Sequence, residues 1–420
     1  MKRVEVISKH FLESNECVGV ELNKPDPTGI DYYQFNDLLK PDEIEIRNRA
    51  KSFVKNEMSK VNLNSYYEKA EFPTELLPKL KQLNWVGAGM TGYGCSSLSA
   101  VKVGLLSMEL SKCSADISTF FGILLNISML PIYNNGSEEQ KQKYLPKMSS
   151  MELIGAFGLT EPQAGSDASG LYCEATKVEG GWILNGEKRW IGNAPMADVI
   201  IIWARNSETK QVNGFIVDKG TVGMSVEKME NKISLRSVQN GHIYLKNCFV
   251  GEGQRLPLAK DFQSGPGASL FLTRIVASWI ALGIASNAYS KCLEYCQNRK
   301  QFQSPLSQFQ LTQERLVRML ANLQAMSLMC LRISHLYDSK KLTFGQVGML
   351  KAFCTSKGRE ITQLSRELLG GNGLVTDFEV AKNFVDMEAV HTFEGTYDIN
   401  TLITGREITK SSAFSVNKKK

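Results

Sequence analysis

Phe157-Gly-Leu-Thr-Glu-Pro-Gln-Ala-Gly-Ser-Asp167 lies where the hydrophobic period of the chain changes. Before it, from Tyr32 to about Tyr144, the sequence reads as helices. Pro41 followed by Asp42-Glu-Ile-Glu-Ile46 is a helix start, with its acids in the first turn where the helix dipole favours them. Further helices are predicted from Val101 to Leu110 and from Ile117 to Ile132. Beyond Leu153 short β-rich runs follow: Leu171 to Val178, Trp182 to Leu184, Val199 to Ala204, Gly214 to Val217 and His242 to Val250. Turn signals such as Glu179-Gly-Gly181 and Asn185-Gly186 separate them. After about Phe262 the helical period returns. Leu316, Met319, Leu320, Leu323 and Met326 stripe one face of a Pro-free segment from Leu306 to about Tyr337, the mark of a long helix packed into a core. Helices, then strands, then helices in separate blocks argue for an α+β fold rather than a βαβ alternation. The divisions expected are an extension over 1–31, a helical domain over 32–152, a β domain over 153–262 and a helical domain over 263–420. No GxGxxG stands between a strand and a helix, so a dinucleotide would bind by some route other than a Rossmann turn.

The 420 residues suffice for several packed layers, and 43% hydrophobic with 22% charged residues is the balance of a globular protein. The most apolar stretch, Ser269 to Ile284, is broken by Arg274 and is short of the roughly 20 residues a bilayer span requires, so no membrane helix is expected. A net charge of +6, from 49 basic and 43 acidic residues, comes without a basic stripe interleaved with aromatics. That disfavours nucleic acid and suits a phosphate-bearing small molecule or an ordinary solvated surface. Nine cysteines, an odd number, do not read as a disulfide framework, and four histidines stand at no metal-ligand spacing. With no metal expected, redox chemistry here calls for an organic cofactor.

Four constellations carry chemistry. In the opening stretch, the amides beside Gly158 and Gly165 and the hydroxyls of Thr160 and Ser166 suit the polar edge of a flat heterocycle or a phosphate, or else simply a decorated turn. Lys188-Arg-Trp-Ile-Gly-Asn193 offers a large flat face in Trp190 and a close backbone approach at Gly192, although a tryptophan after a turn also serves as core. Glu367-Leu-Leu-Gly-Gly-Asn-Gly373 ends a helix in a glycine-rich turn, as a simple C-cap would. In His391-Thr-Phe-Glu-Gly-Thr-Tyr-Asp-Ile-Asn400, Glu394 stands between an aromatic and a glycine, where a dry pocket would raise its pKa toward that of a general base.

In order and spacing over residues 32–414 these motifs resemble the acyl-CoA dehydrogenase and acyl-CoA oxidase flavoprotein superfamily. Asp31-Tyr-Tyr-Gln-Phe-Asn-Asp37, Lys188 to Asn193, Ser237-Val-Gln-Asn-Gly241 and Glu394 to Ile403 look like plant-type short-chain peroxisomal acyl-CoA oxidases, with glutaryl-CoA dehydrogenase the next most similar. The resemblance implies a helical domain, a β-barrel or sandwich and a four-helix bundle, with FAD as cofactor and a homotetramer as the assembly. By the same resemblance Phe157, Leu159, Thr160, Trp190 and Gly192 would meet the flavin. Arg299 and Phe302 would reach the FAD of a neighbouring subunit, with Gln310, Glu367, Gly370 and Gly371 at its adenosine end and Thr396 completing the site. Ser166, Phe271, Arg274 and Gly395 would contact an acyl-CoA. Glu394 would remove the α proton to give a trans-2-enoyl-CoA, with electrons passing to O2 in an oxidase or to electron-transfer flavoprotein in a dehydrogenase. A non-catalytic structural relative is a further reading, against which the intact Glu394 and flavin motifs argue.

Departures from the pattern sharpen these expectations. Gln303 replaces the glycine usual after the Arg-x-Gln-Phe run, and the glutarate-selective arginine falls on Ser118, which disfavours a dicarboxylyl substrate. Gly192 stands where the dehydrogenases usually carry threonine, and its missing side chain is expected to open space for oxygen. The start of the chain has neither the apolar core of a secretory signal nor the basic bias of a mitochondrial presequence. Arg3-Val4 followed by His10-Phe11 resembles an amino-terminal peroxisomal address. The chain ends in Asn417-Lys-Lys-Lys420 rather than a peroxisomal tripeptide. Peroxisome is therefore the expected compartment, with the mitochondrial matrix as the alternative.

Overall fold

The structure, a computed structural model, describes residues 26–411 apart from Ala88; the Arg3–Phe11 address and the terminal lysines lie outside these. The amino-terminal block is helical: α1 Pro41–Asn56, α2 Leu63–Lys69, α3 Leu77–Gln82, α4 Ala100–Cys113, α5 Ala115–Gly122, which runs on into a π-helical turn over Ile123–Ile127, α6 Leu130–Asn135 and α7 Glu138–Ser149. Side chains cap these helices where the sequence allows it: Ser99 Oγ accepts from Lys102 N and Ser137 forms a capping box with Gln140.

The strands follow: β1 Gly155–Gly158, β2 Glu174–Val178, β3 Gly181–Gly192, β4 Val199–Asn206, β5 Val212–Asp218, β6 Met224–Lys228 and β7 Asn240–Gly251. They form one sheet in the order β1-β4-β2-β3-β7-β6, with β5 paired to β4. The unbroken apolar run of β4 has a physical reason. Ile200, Ile202 and Ala204 point into a core enclosed by the sheet, while Val199, Ile201 and Trp203 join the larger core shared with the helices. A strand buried on both faces needs no alternation.

The carboxyl-terminal block consists of α8 Ala268–Asn298, a small hairpin of β8 Lys300–Gln301 and β9 Ser304–Pro305, α9 Gln310–Asp338, α10 Phe344–Leu368, α11 Val380–Thr392 and α12 Tyr397–Thr409. Leu316, Met319, Leu323 and Met326 of α9 are buried as the stripe requires. Contrary to the expectation that no helix is long enough, length alone does not exclude a bilayer span here. The stretch Gln263–Asn298 is long and apolar enough to cross a membrane, but 83% of its most apolar window is buried inside the protein. A second helix, Gln310–Asp338, also passes on length and composition and is half buried over that window.

Helices α4 and α8 pack closely through two glycines, one against a side chain and one against backbone. A Cβ on Gly104 would lie 2.2 Å from Trp279 Nε1, and one on Gly283 would lie 2.4 Å from Met108 O. Trp279 is fully buried and donates to Ser334 Oγ at 3.0 Å. Gly104→Ala therefore displaces the indole and breaks that bond. The expected cost is about 1–3 kcal/mol, read as a lower midpoint in urea or thermal unfolding.

A buried ionic junction joins the three blocks. Lys382 of α11 lies between Asp116 of α5, at 2.6 Å, and Asp386, one turn on. The remaining oxygens of the two acids accept from Ser237 N at 2.8 Å and Leu235 N at 2.7 Å, clamping the segment between β6 and β7.

Candidate active site

Glu394 lies in the turn between α11 and α12 with φ +56°, followed by Gly395 at +85°. A left-handed backbone disfavours glutamate, so the surroundings must hold it. They do so through carbonyls. Lys351 Nζ, on α10, donates to His391 O at 2.8 Å and to Gly395 O at 2.7 Å. Asn400 Nδ2 donates to Gly395 O at 2.8 Å and Thr396 O at 3.0 Å, while its Oδ1 accepts from Arg274 Nε at 3.0 Å. Thr396 N-caps α12, its hydroxyl accepting from Ile399 N.

Glu394 as a whole is half-buried, and Oε2 of its enclosed carboxyl accepts from Thr273 Oγ1 at 2.6 Å. Burial raises its pKa above the usual glutamate value, against the opposing pull of the Thr273 hydroxyl, Arg274 and Lys351. Burial also lowers Lys351 to about 7 and pushes Arg274 down. Among the described residues neither cation makes an ion pair. The result is a single enclosed carboxyl with one oriented oxygen and one free to accept a proton.

Arg274 was expected to contact substrate, but it is buried and turned inward, donating to Asn400 and to Leu270 O. Phe271 lies half-buried with its ring 4.0 Å from that of Phe344. Ser118, at the arginine position, is buried and bonded to Ser107 O at 2.9 Å, so it belongs to the helix packing.

The second group of expected residues sits on the β domain. Lys188, fully buried in β3, donates to Leu159 O at 3.1 Å and pairs with Glu161 at 2.7 Å, and Arg189 N donates to Thr160 O at 2.8 Å. Two chain segments are thus fixed side by side. Between Lys188 and Ile191 the β3–β7 register slips by one residue, and Trp190 takes φ +65°. This bulge turns the indole out of the alternation, and Trp190 is 56% exposed. Asn240 Nδ2 holds the Trp190 carbonyl at 3.2 Å, while Lys232 Nζ holds Asn240 Oδ1 at 2.7 Å. The ring of Phe157 faces the core, 5.8 Å from Trp203, so only its backbone is available to a ligand; Ser166 is exposed. Gly192 does not open a space. A Cβ there would lie 2.3 Å from Ile123 Cδ1, which already fills it.

A third group collects at the far end of α8. Arg299, Phe302, Gln310, Gly370 and Gly371 are exposed and Glu367 is half-buried. Asn372 Nδ2 donates to Tyr295 OH at 3.1 Å, tying the glycine turn to α8 one turn before Arg299. Phe302 and Gln303, at φ +49° and +65°, form the two-residue turn of the β8–β9 hairpin, so Gln303 occupies a left-handed position that glycine would adopt freely. Glu367, Arg359, Arg366 and Leu374 line a cleft of about 680 Å³.

Lys188, Glu161 and Asn400 stand inside the quoted motifs without an assigned role, and Thr273 and Lys351 are not singled out by the sequence at all. The signal available for the two lysines was a charge at a core position: Lys351 interrupts the buried stripe Val347, Cys354 and Gly358.

The exposed indole of Trp190 suits a flat heterocycle, and three residues on Asn193 Oδ1 is buried with no hydrogen-bond partner among the described residues. Models of the acyl-CoA dehydrogenase N-terminal, middle and C-terminal domains match residues 40–152, 156–248 and 267–409. A mitochondrial isovaleryl-CoA dehydrogenase of Solanum tuberosum is 30% identical over 326 residues, 76% of this chain and 78% of its own. A 3-(aryl)acrylate reductase of Clostridium sporogenes is 30% identical over 87% of this chain and 98% of its own. A solved glutaryl-CoA dehydrogenase of Mycobacterium smegmatis in complex with FADH2 superposes with a TM-score of 0.89 at 32% identity, over 93% of this chain and all of that one. With three domain models in sequence, relatives at this identity and the shared fold, the chain belongs to the acyl-CoA dehydrogenase family.

Proposed function

We propose that the protein is an FAD-dependent oxidoreductase that introduces a double bond between Cα and Cβ of an acyl-CoA thioester, with Glu394 as the base. The enclosed Glu394 carboxyl carries this reading. Thr273 fixes Oε2, leaving Oε1 to take the α proton. Desolvation raises the basicity of the carboxylate, and the inward cations Arg274 and Lys351 pull against it, toward the ionised form. Holding base and thioester in one geometry removes much of the entropic barrier.

FAD, when bound, supplies the two-electron acceptor. Leu159, Thr160 and Trp190 are the residues offered to its ring, and Arg299, Gln310, Glu367, Gly370 and Gly371 to its phosphate and adenosine end. The outward exposure of Arg299, Phe302 and Gln310, beside the exposed apolar Leu311 and Val317, supports a site completed by another copy of the chain, as in a homotetramer.

Electron-transfer flavoprotein is the acceptor we favour, since two of the relatives named above are dehydrogenases, the third is a reductase and none is an oxidase. The packing of Ile123 against Gly192 weakens the structural case for O2. The mitochondrial relatives likewise support the matrix over the peroxisome. Turnover of a short to long acyl-CoA series, with electron-transfer flavoprotein or with air and peroxide detection, tests this reading. Turnover is expected to depend on the flavoprotein; stoichiometric peroxide in air with no gain from the flavoprotein would restore the oxidase.

A further inference from the structure

We propose that Lys351 is a positioning residue for Glu394, its side chain tying the carbonyls on both sides of the base and, when protonated, setting a positive charge behind it. The inference rests on the function proposed above and adds a residue to it. Geometry carries it. Nζ of Lys351 bridges His391 O and Gly395 O at 2.8 and 2.7 Å, three residues before and one after Glu394, and it closes the turn that forces Glu394 to φ +56°. Lys351 has zero solvent exposure and, among the described residues, no carboxylate within ion-pair reach. A structural lysine would ordinarily be paired or solvated; this one has only carbonyls and the field of Glu394.

Loss of its proton leaves an amine with two N–H groups, enough for both carbonyls, so the clamp survives deprotonation while the charge does not. The facing groups are Glu394 from the turn, Arg274 from α8 and His391 at the end of α11. The His391 ring is bonded to Thr355 Oγ1 and is itself faced by Arg359, Glu388 and Asp398.

The test uses the flavin-loaded enzyme with Lys351→Met and Lys351→Arg, each also in a His391→Gln background to remove the competing titration. Lys351→Met is expected to lower kcat about 10- to 100-fold with KM changed less than about threefold, since a small misplacement of a base has costs of this order. Its acid limb in kcat/KM should move to higher pH, because Glu394 has lost a cation that favours its ionised form. Lys351→Arg should keep the limb near the wild-type position. A limb that stays put in Lys351→Met, or moves equally in both variants, overturns the proposal.

A second readout needs no turnover. Burial holds the native lysine at about 7 against its ordinary value of 10.5, so between those limits the folded protein binds fewer protons than the unfolded chain. Wild-type stability should therefore rise with pH across that window relative to Lys351→Met. A flat difference would refute a buried, titrating Lys351. If no acyl-CoA turns over, the function fails while the melting comparison still decides whether Lys351 carries a buried, titrating charge behind the turn.

Discussion

Glu394→Gln is expected to abolish turnover, by about 10³-fold or more, while leaving the fold intact or slightly firmer. Glutamine has the same shape, and its side-chain oxygen still accepts the Thr273 hydroxyl, so the turn loses no hydrogen bond. What it lacks is an oxygen basic enough to take a proton from carbon. The stability sign follows from burial. With the folded-state pKa of Glu394 raised above 4.5, the native protein binds more protons than the unfolded chain around and above that pH, so ionisation of Glu394 weakens the fold as pH rises through its raised value. The amide has no such term. A thermal midpoint equal to or above wild type at neutral pH, together with the kinetic collapse, is the signature of a residue held at a cost to stability for its chemistry. Activity within tenfold of wild type would remove Glu394 from the mechanism.

Lys382→Met is expected to be strongly destabilising, by about 3–5 kcal/mol, because it leaves the carboxylates of Asp116 and Asp386 buried without their ion-pair partner. Burial already holds Asp386 above the usual carboxylate range despite Lys382 beside it, and removing the lysine drives it further up. A carboxyl raised in the folded state costs stability as pH climbs from its unfolded value near 3.8 through its folded one. The variant should therefore be less damaged at pH 5.5 than at pH 8, as measured by urea midpoints at the two values. A loss under about 1 kcal/mol, or one independent of pH, would show that water reaches the junction. Replacing all three residues by apolar ones would not be neutral either, since Leu235 N and Ser237 N would lose their acceptors.

Much of this architecture was legible in the sequence because it is periodic. The switch from helical spacing to short β-branched runs near Leu153 and back near Phe262 brackets the sheet from β1 to β7. The strands that escaped notice have physical excuses. Gly155-Ala-Phe-Gly158 has no β-branched residue and is a strand because it pairs in parallel with β4; Met224 to Lys228 has only two apolar residues because it is an edge of the sheet. Trp182–Leu184 and Lys188–Gly192, which stand apart in the sequence analysis, are one strand interrupted by bulges. At the site, Glu394 was visible as a carboxyl between an aromatic and a glycine. Thr273, Lys351 and Asn400 were not, since what unites them with Glu394 is the packing of α8, α10 and α12. Arg274 shows the reverse error: its presence was readable and its inward direction was not.

The bulge that turns Trp190 outward also gives the protein a built-in optical label. Of five tryptophans, Trp85, Trp182, Trp203 and Trp279 are at most 5% exposed, whereas Trp190 is 56% exposed. Its emission should lie at longer wavelength than the rest and be the fraction that acrylamide or iodide quenches. Occupancy of the face it presents could then be followed by light alone, in the wild-type chain, without a dye.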